Sequence, residues 1–156
     1  MLQKVIKYKG RLAIALAIVL LLAMVRAFED QLFYDPFLSY FKNDFTIRSL
    51  PAYEYSKLYL HLLIRYLVNT LLSLALIHTI FKNFEIIKVA SVLYGFFFLI
   101  FIVIFIILLT YFPDNKMSIF YVRRFLIQPL LILLFIPAFY FQVQSEKKSI
   151  DNMPSA

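Results

Sequence analysis

The chain has 156 residues, of which 63% are hydrophobic, 19% aromatic and only 16% charged. A soluble domain is nearer half apolar and a quarter charged, so this composition excludes a water-soluble globule and also a disordered chain. The absence of Cys excludes disulfide scaffolds, thiolate metal sites and cysteine nucleophiles. The net charge of +7 does not indicate nucleic-acid binding, because the basic residues flank apolar stretches as they do in membrane proteins.

Four apolar stretches are predicted to cross a bilayer, which takes about 20 residues in a helix. They are residues 12–25, which can be lengthened upstream, and residues 58–81, 89–112 and 120–141. The first also has the form of a signal peptide, but we favour an uncleaved helix because Arg26 is unfavourable beside a cleavage point. The fourth contains Pro129 and Pro137, which membrane helices tolerate, and Gln128 is placed to satisfy a carbonyl freed at the first kink.

The only long polar stretch, residues 28–57, joins the first two spans and mixes acids with many aromatics. Asp35 and Pro36 predict a helix start, with Asp35 as the cap. We expect a short helix lying in the membrane interface, and an aromatic belt with a re-entry loop fits equally well. The fold predicted is therefore an all-α polytopic membrane protein, with one four-helix domain over residues 1–141 and a disordered cytoplasmic tail over residues 142–156.

The distribution of Lys and Arg predicts that both termini are cytoplasmic. The N-terminal segment has four basic residues and no acid, whereas the first loop has four basic and five acidic residues. Summed over all the short loops, the two sides are almost equal, with eight basic residues inside and seven outside. The orientation therefore depends on the contrast between the N-terminal segment and the first loop.

Four polar residues recur every four positions in the second span and so share one helix face. They are His61, Arg65, Asn69 and Ser73. An ionisable side chain inside a membrane faces protein or water, so we expect Arg65 to pair with Glu29 or Asp30. Other charged residues at the same depth complete a candidate binding cluster. These are Arg26, Asp35, Arg123 and Arg124.

Such a cluster suits a carboxylate or phosphate ligand, which a guanidinium binds through two hydrogen bonds. The alternative is a structural ion pair that fixes helix packing, with Arg123 and Arg124 anchored on lipid headgroups. Ser91 and Gly95 form a small-residue patch on the third span that suits close helix contact. Because the spans contain no acid and the chain no nucleophile motif or metal-ligand set, we expect neither an enzyme nor a cofactor or metal site.

Several segments resemble the exosortase F-associated membrane proteins. They are Arg26-Ala27-Phe28-Glu29, Leu32-Phe33-Tyr34-Asp35-Pro36-Phe37 and Arg65-Tyr66-Leu67-Val68-Asn69-Thr70-Leu71-Leu72-Ser73, with the basic N-terminus and the apolar third span. The resemblance covers residues 11–112. It implies a short protein of the bacterial inner membrane that accompanies an exosortase, a membrane protease for C-terminal sorting signals.

The resemblance therefore predicts a non-catalytic accessory protein that docks onto an exosortase-type protease or its sorting-signal substrate. Membrane lipids are the other expected partner, and nucleic acid is not expected. A chain without Cys lacks the exosortase's own catalytic chemistry. The alternative function is a small transporter or lipid-handling subunit whose polar stripe lines a cavity.

Overall fold

A computed structural model of the chain describes residues 2–43 and 49–151. Within these residues every regular element is a helix, and no strand is present. Seven helices follow one another in this described part: α1 (Leu2–Ala27), α2 (Glu29–Leu32), α3 (Pro36–Lys42), α4 (Tyr55–Phe81), α5 (Phe84–Tyr111), α6 (Lys116–Ile127) and α7 (Leu130–Asp151).

Three of these helices are long and apolar enough to cross a membrane. They are α1 from Lys9 onward, α4 and α5, with 19, 27 and 28 residues. At 1.5 Å per residue they measure about 28, 40 and 42 Å, against about 30 Å for the hydrocarbon core. Helices α6 and α7 meet at a 60° bend and make a fourth span if they cross together. The structure therefore supports a helical membrane protein with three or four spans.

Helix α4 lies at the centre of the bundle and packs against α1, α5 and α6. Helix α1 lies at the periphery, where Leu22 is buried but Leu12 and Leu20 are more than 60% exposed. An apolar helix this exposed would be unfavourable in water, whereas lipid can cover it. The position of α1 therefore agrees with a membrane location.

Aromatic rings from α4, α5 and α7 fill the middle of the bundle. The Tyr66 hydroxyl donates to the carbonyl oxygen of Tyr94 over 2.7 Å. The Tyr66 ring lies 4.7 Å from that of Phe98, and the Tyr94 ring 5.1 Å from that of Phe135. The first pair is tilted and the second is edge-on, and both have centroid separations typical of favourable aromatic pairs.

The break between α6 and α7 occurs at Gln128 and Pro129. Gln128 has an extended backbone (φ −108°, ψ 142°), because a residue before proline is disfavoured in the helical region. The expectation that Gln128 satisfies a freed carbonyl is wrong: its Oε1 accepts a hydrogen bond from Arg124 Nε over 3.0 Å. The free carbonyl of Ile127 accepts instead from Asn69 Nδ2 of α4, over 2.9 Å.

Helix α3 begins at Pro36 as predicted, with Asp35 at the cap position, but the Asp35 side chain makes no capping hydrogen bond. Phe37, Leu38 and Tyr40 are buried, and the Phe37 ring lies 6.3 Å from that of Phe105 on α5. Helix α3 is thus packed into the bundle, and its position at a membrane interface stays a prediction. Residues 44–48 of the predicted loop lie outside the described residues.

Helix α7 continues to Asp151, so residues 142–151 are helical rather than the disordered tail that we expected. Hydrogen bonds between side chains four residues apart support this last part of the helix. Gln142 Nε2 donates to Glu146 Oε1 over 3.2 Å, and Gln144 Nε2 donates to the Tyr140 hydroxyl over 2.7 Å. The rest of the predicted tail, residues 152–156, lies outside the described residues.

The small-residue patch on α5 does not pack against another described helix. Ser91 is exposed, and its hydroxyl donates to the Ile87 carbonyl over 2.8 Å. A Cβ atom built on Gly95 would meet no atom within 4 Å. The expected contact through Ser91 and Gly95 is therefore absent from the described residues, because α4 packs on another face of α5 that carries Ala90 and Tyr94.

Candidate functional site

Two buried arginines and two buried carboxylates meet where α2, α3, α4 and α6 converge. We call them the ion-pair cluster: Glu29 on α2, Asp35 before α3, Arg65 on α4 and Arg123 on α6. Their side chains are only 2–7% exposed. Two positive and two negative charges make the cluster formally neutral, the condition under which charges are tolerated away from water.

Each carboxylate of the cluster is shared by two guanidinium groups. Glu29 Oε2 accepts from Arg65 Nη2 and, over 2.6 Å, from Arg26 Nη1. Asp35 receives two hydrogen bonds from Arg123, from Nη2 to Oδ2 and from Nε to Oδ1 over 3.2 Å. Arg65 Nη1 lies 3.6 Å from the same Asp35 Oδ2. The bidentate contact fixes the orientation of Arg123 as well as its position.

Aromatic rings from the segment that carries the two acids lie against the two buried guanidinium groups. The Arg65 guanidinium carbon is 5.5 Å from the centre of the Phe33 ring, and that of Arg123 is 5.8 Å from the centre of the Phe41 ring. Both distances are within the range of cation–π attraction. Residues 28–42 therefore supply both carboxylates and both rings of the site.

The local sequence explains how this short segment reaches the arginines. Helix α1 ends at Ala27, and α2 places Glu29 two residues later, beside α4. Pro36 then restricts Asp35 to an extended conformation (φ −148°, ψ 88°). With no capping bond to make, the Asp35 carboxylate binds Arg123, 88 residues further along the chain.

The predicted pairing of Arg65 with an acid of the first loop is confirmed for Glu29. Asp30 binds Lys42 instead, over 2.9 Å, and both of those side chains are more than half exposed. The pairing of Asp35 with Arg123 was missed by the sequence analysis. The only indication of this pairing in the sequence is that Arg123 and Arg124 are adjacent within a predicted span. Each of them there requires an anion or a lipid headgroup as a partner.

The polar stripe of α4 does not line one cavity. Arg65, Asn69 and Ser73 are at most 5% exposed and are packed between helices. His61 is partly exposed, with its ring 6.2 Å from that of Tyr34, and it lines an open pocket. The side chains of the stripe therefore have separate surroundings despite their common helix face.

Two open pockets lie on either side of α3, and Leu38 and Lys42 line both. The larger, which we call the His61 pocket, measures about 610 Å³ and is bordered mainly by residues 30–36. The smaller, the Arg124 pocket, measures about 250 Å³ and lies between α3 and α6, where Glu29 and Arg123 of the ion-pair cluster line it. Arg26, Arg123 and Arg124 line this second pocket.

Comparison with known proteins finds no protein family, curated protein or solved structure that matches the chain. Among the described residues, no group of three or more His, Cys, Asp or Glu could hold a metal ion. The fold and the site thus define a class: a helical, membrane-compatible protein in which a buried ion-pair cluster attaches a short polar segment to the bundle.

Proposed function

We propose that the chain is a non-catalytic accessory protein of the bacterial inner membrane that docks onto an exosortase-type protease. The main support for the proposal is that residues 28–42 are attached to the helix bundle on one side only. The ion-pair cluster binds this segment to α4 and α6, while its other side is open around the His61 pocket. The buried arginines are then structural, and contact with a partner falls to the exposed residues of the segment.

The exposed side of the segment has the composition of a protein-binding surface. Phe28, Leu32 and Tyr34 are exposed apolar or aromatic side chains, and the ion pair of Asp30 with Lys42 borders them. Aromatic anchors within a charged rim are typical of protein interfaces. Because the segment is already fixed, binding would require little further loss of conformational entropy.

The proposed topology has both termini in the cytoplasm, which puts residues 28–42 on the periplasmic side. A protease that handles C-terminal sorting signals at that side of the membrane could then meet the segment directly. The exposed apolar surface of α1 adds a lateral face for contact within the membrane. Both features support docking and require no chemistry from the chain itself.

A transporter or lipid-handling subunit with a cavity along the polar stripe is the second candidate. It requires His61, Arg65 and Asn69 to face water together, whereas the last two are buried between helices. Single cysteines at these positions can be tested with a water-soluble maleimide, because the chain has no native Cys. Labelling at all three positions would favour the transporter, and labelling at position 61 alone would favour the docking protein.

Co-purification tests the docking function. The tagged chain and an exosortase of the same organism are co-expressed and extracted in a mild detergent, and we expect them to elute together. The double variant Leu32→Ala/Tyr34→Ala should reduce recovery of the protease about tenfold, as expected when interface hot-spot residues are lost. Tyr111→Ala is the control, because Tyr111 is an exposed tyrosine outside both pockets.

The failure of the wild-type chain to retain the protease would contradict the docking function. Equal losses in the double variant and in Tyr111→Ala would contradict the assignment of the surface. A complex formed only with a peptide of the sorting signal would assign the same surface to the substrate instead of the protease.

A further inference from the structure

The Arg124 pocket lies between α3 and α6, beside the end of α1. Its volume of about 250 Å³ is below the roughly 300–1,000 Å³ of sites for drug-sized ligands, so it fits a smaller group. Leu38, Phe41, Phe120 and Ile127 make part of its wall apolar. A small site with one charged and one apolar wall suits the polar end of an amphipathic molecule.

The charged wall of the pocket has four cations and one carboxylate. The cations are Arg26, Lys42, Arg123 and Arg124, and the carboxylate is Glu29. Three of the cations have an acidic partner: Arg26 with Glu29, Lys42 with Asp30, and Arg123 with Asp35. Glu29 is also shared with Arg65, so positive charge exceeds negative charge around the pocket.

Arg124 differs from the other three cations. Within the described parts of the chain, no carboxylate lies within 4 Å of its guanidinium, and its Nε donates to the neutral Gln128 side chain. The side chain is exposed, which leaves its two Nη groups accessible to an incoming anion. A planar guanidinium binds the oxygens of a phosphate through two parallel hydrogen bonds. Arg26, 48% exposed, lines the same pocket and can supply a second positive charge.

We infer that the Arg124 pocket binds a phosphate-bearing group whose overall charge is negative. Two sources share this chemistry: the headgroup of an anionic phospholipid, whose glycerol end would meet the apolar wall, and free phosphate. The inference goes beyond the docking function and requires no protein partner, so either one can fail without the other.

Ligand-dependent thermal stability tests the inference on the whole chain in a neutral detergent. A ligand that binds only the folded state raises the melting temperature by mass action. We would titrate short-chain phosphatidylglycerol, short-chain phosphatidylcholine and inorganic phosphate separately. A rise with phosphatidylglycerol alone assigns the site to a lipid headgroup, and a rise with inorganic phosphate assigns it to the free anion.

Arg124→Gln should weaken the binding about tenfold, which corresponds to about 1.4 kcal/mol. Lys88→Gln removes the same charge outside both pockets and should leave the binding unchanged. Gln128→Glu is a second, independent variant, because it would place a carboxylate beside Arg124 and compete with the ligand. It should weaken binding to a similar extent and preserve the shape of the residue at the break.

Three outcomes would overturn the inference. In the first, none of the three compounds raises the melting temperature. In the second, the zwitterionic lipid raises it as much as the anionic one does. The third is an Arg124→Gln variant that is folded and binds phosphatidylglycerol as tightly as Lys88→Gln does.

Discussion

The first part of α4, around Arg65, and its last turns, from Ala75 onward, are held in the bundle by different forces. The first part is attached by Arg65, whose partners Glu29 and Asp35 come from the segment after α1. The last turns are attached by apolar contacts, with Leu76 and Ile77 buried. Lipid tails are as apolar as these side chains, so close packing is the main attraction there. The part around Arg65 has directional contacts, and they determine where residues 28–42 lie.

The first part and the end of α4 also differ in the sequence distance of their polar contacts. At the end of α4, Lys82 adopts a left-handed conformation (φ 51°), and Asn83 Oδ1 accepts from the Glu85 backbone over 2.9 Å. These contacts join residues at most a few positions apart. In the ion-pair cluster the partners are 36 and 88 positions apart. The turn is therefore specified locally, whereas the cluster requires the assembled bundle.

Asp35→Asn should have the largest effect, because it leaves two buried arginines with one carboxylate. Removal of one partner from a buried ion pair lowers the free energy of unfolding by about 3–5 kcal/mol. The measurement is unfolding in mixed detergent micelles, followed by the fluorescence of the 11 tyrosines, since the chain has no Trp.

Asp30→Asn is the matched control, because Asp30 is also paired but its side chain is 58% exposed. Its effect should be below about 1 kcal/mol. Arg123→Gln added to Asp35→Asn should restore part of the stability, because the remaining Glu29 and Arg65 are neutral together. Equal losses in the two Asp variants would show that burial of the cluster has no energetic consequence.

Asn69→Leu should have the second largest effect, because Asn69 binds the end of α6 at the break between α6 and α7. It leaves the Ile127 carbonyl without its donor at a buried position, which lowers the free energy of unfolding by about 1–3 kcal/mol. The same micelle titration measures the loss. Asn43→Leu is the control, because it removes an exposed hydrogen bond to the Ser39 carbonyl. A loss no larger than that of the control would contradict a role for Asn69 in supporting the break.

The sequence alone predicts the features that depend on composition or neighbouring residues. Apolar runs indicate the long helices, Pro36 marks the start of α3, and Pro129 marks a kink, which the structure shows as the 60° bend between α6 and α7. The requirement of a membrane-embedded arginine for an anion predicts a partner for Arg65 in the first loop. These are local or compositional constraints, and the structure agrees with them.

Other features depend on orientations that sequence does not contain. Glu29 and Asp30 are adjacent, so their side chains point about 100° apart on a helix. The angle at which α2 follows α1 determines that Glu29, and not Asp30, faces Arg65. Asp35 lies at the predicted cap position, yet its carboxylate accepts hydrogen bonds from Arg123 and makes no capping bond. The donor for Ile127 comes from Asn69, which is 58 positions away. Contacts of this kind follow from helix packing.

Asn83→Ala should have a smaller effect, in the locally specified turn. The variant loses the capping bond at the start of α5, which lowers the free energy of unfolding by about 1 kcal/mol. Asn83→Ser retains a capping oxygen and should remain close to the wild type in the same titration. A loss as large as that of Asp35→Asn would mean that the turn is as important as the cluster for the attachment of α4.

Lys88→Gln should have the smallest effect and completes the comparison of buried with exposed charge. Lys88 Nζ binds Glu85 Oε1 over 2.8 Å, which lies between the 2.6 Å from Arg26 to Glu29 and the 3.2 Å from Arg123 Nε to Asp35, but both side chains are at least 70% exposed. Water screens this pair, and pairs three residues apart on a helix contribute only about 0.2–0.5 kcal/mol. Loss of a positive charge near the N-terminus of α5 also removes an unfavourable interaction with the helix dipole, which offsets part of that value. A melting temperature indistinguishable from that of the wild type is therefore expected. A loss comparable with that of Asp35→Asn would mean that the distance between the charges, rather than their burial, determines the strength of these ion pairs.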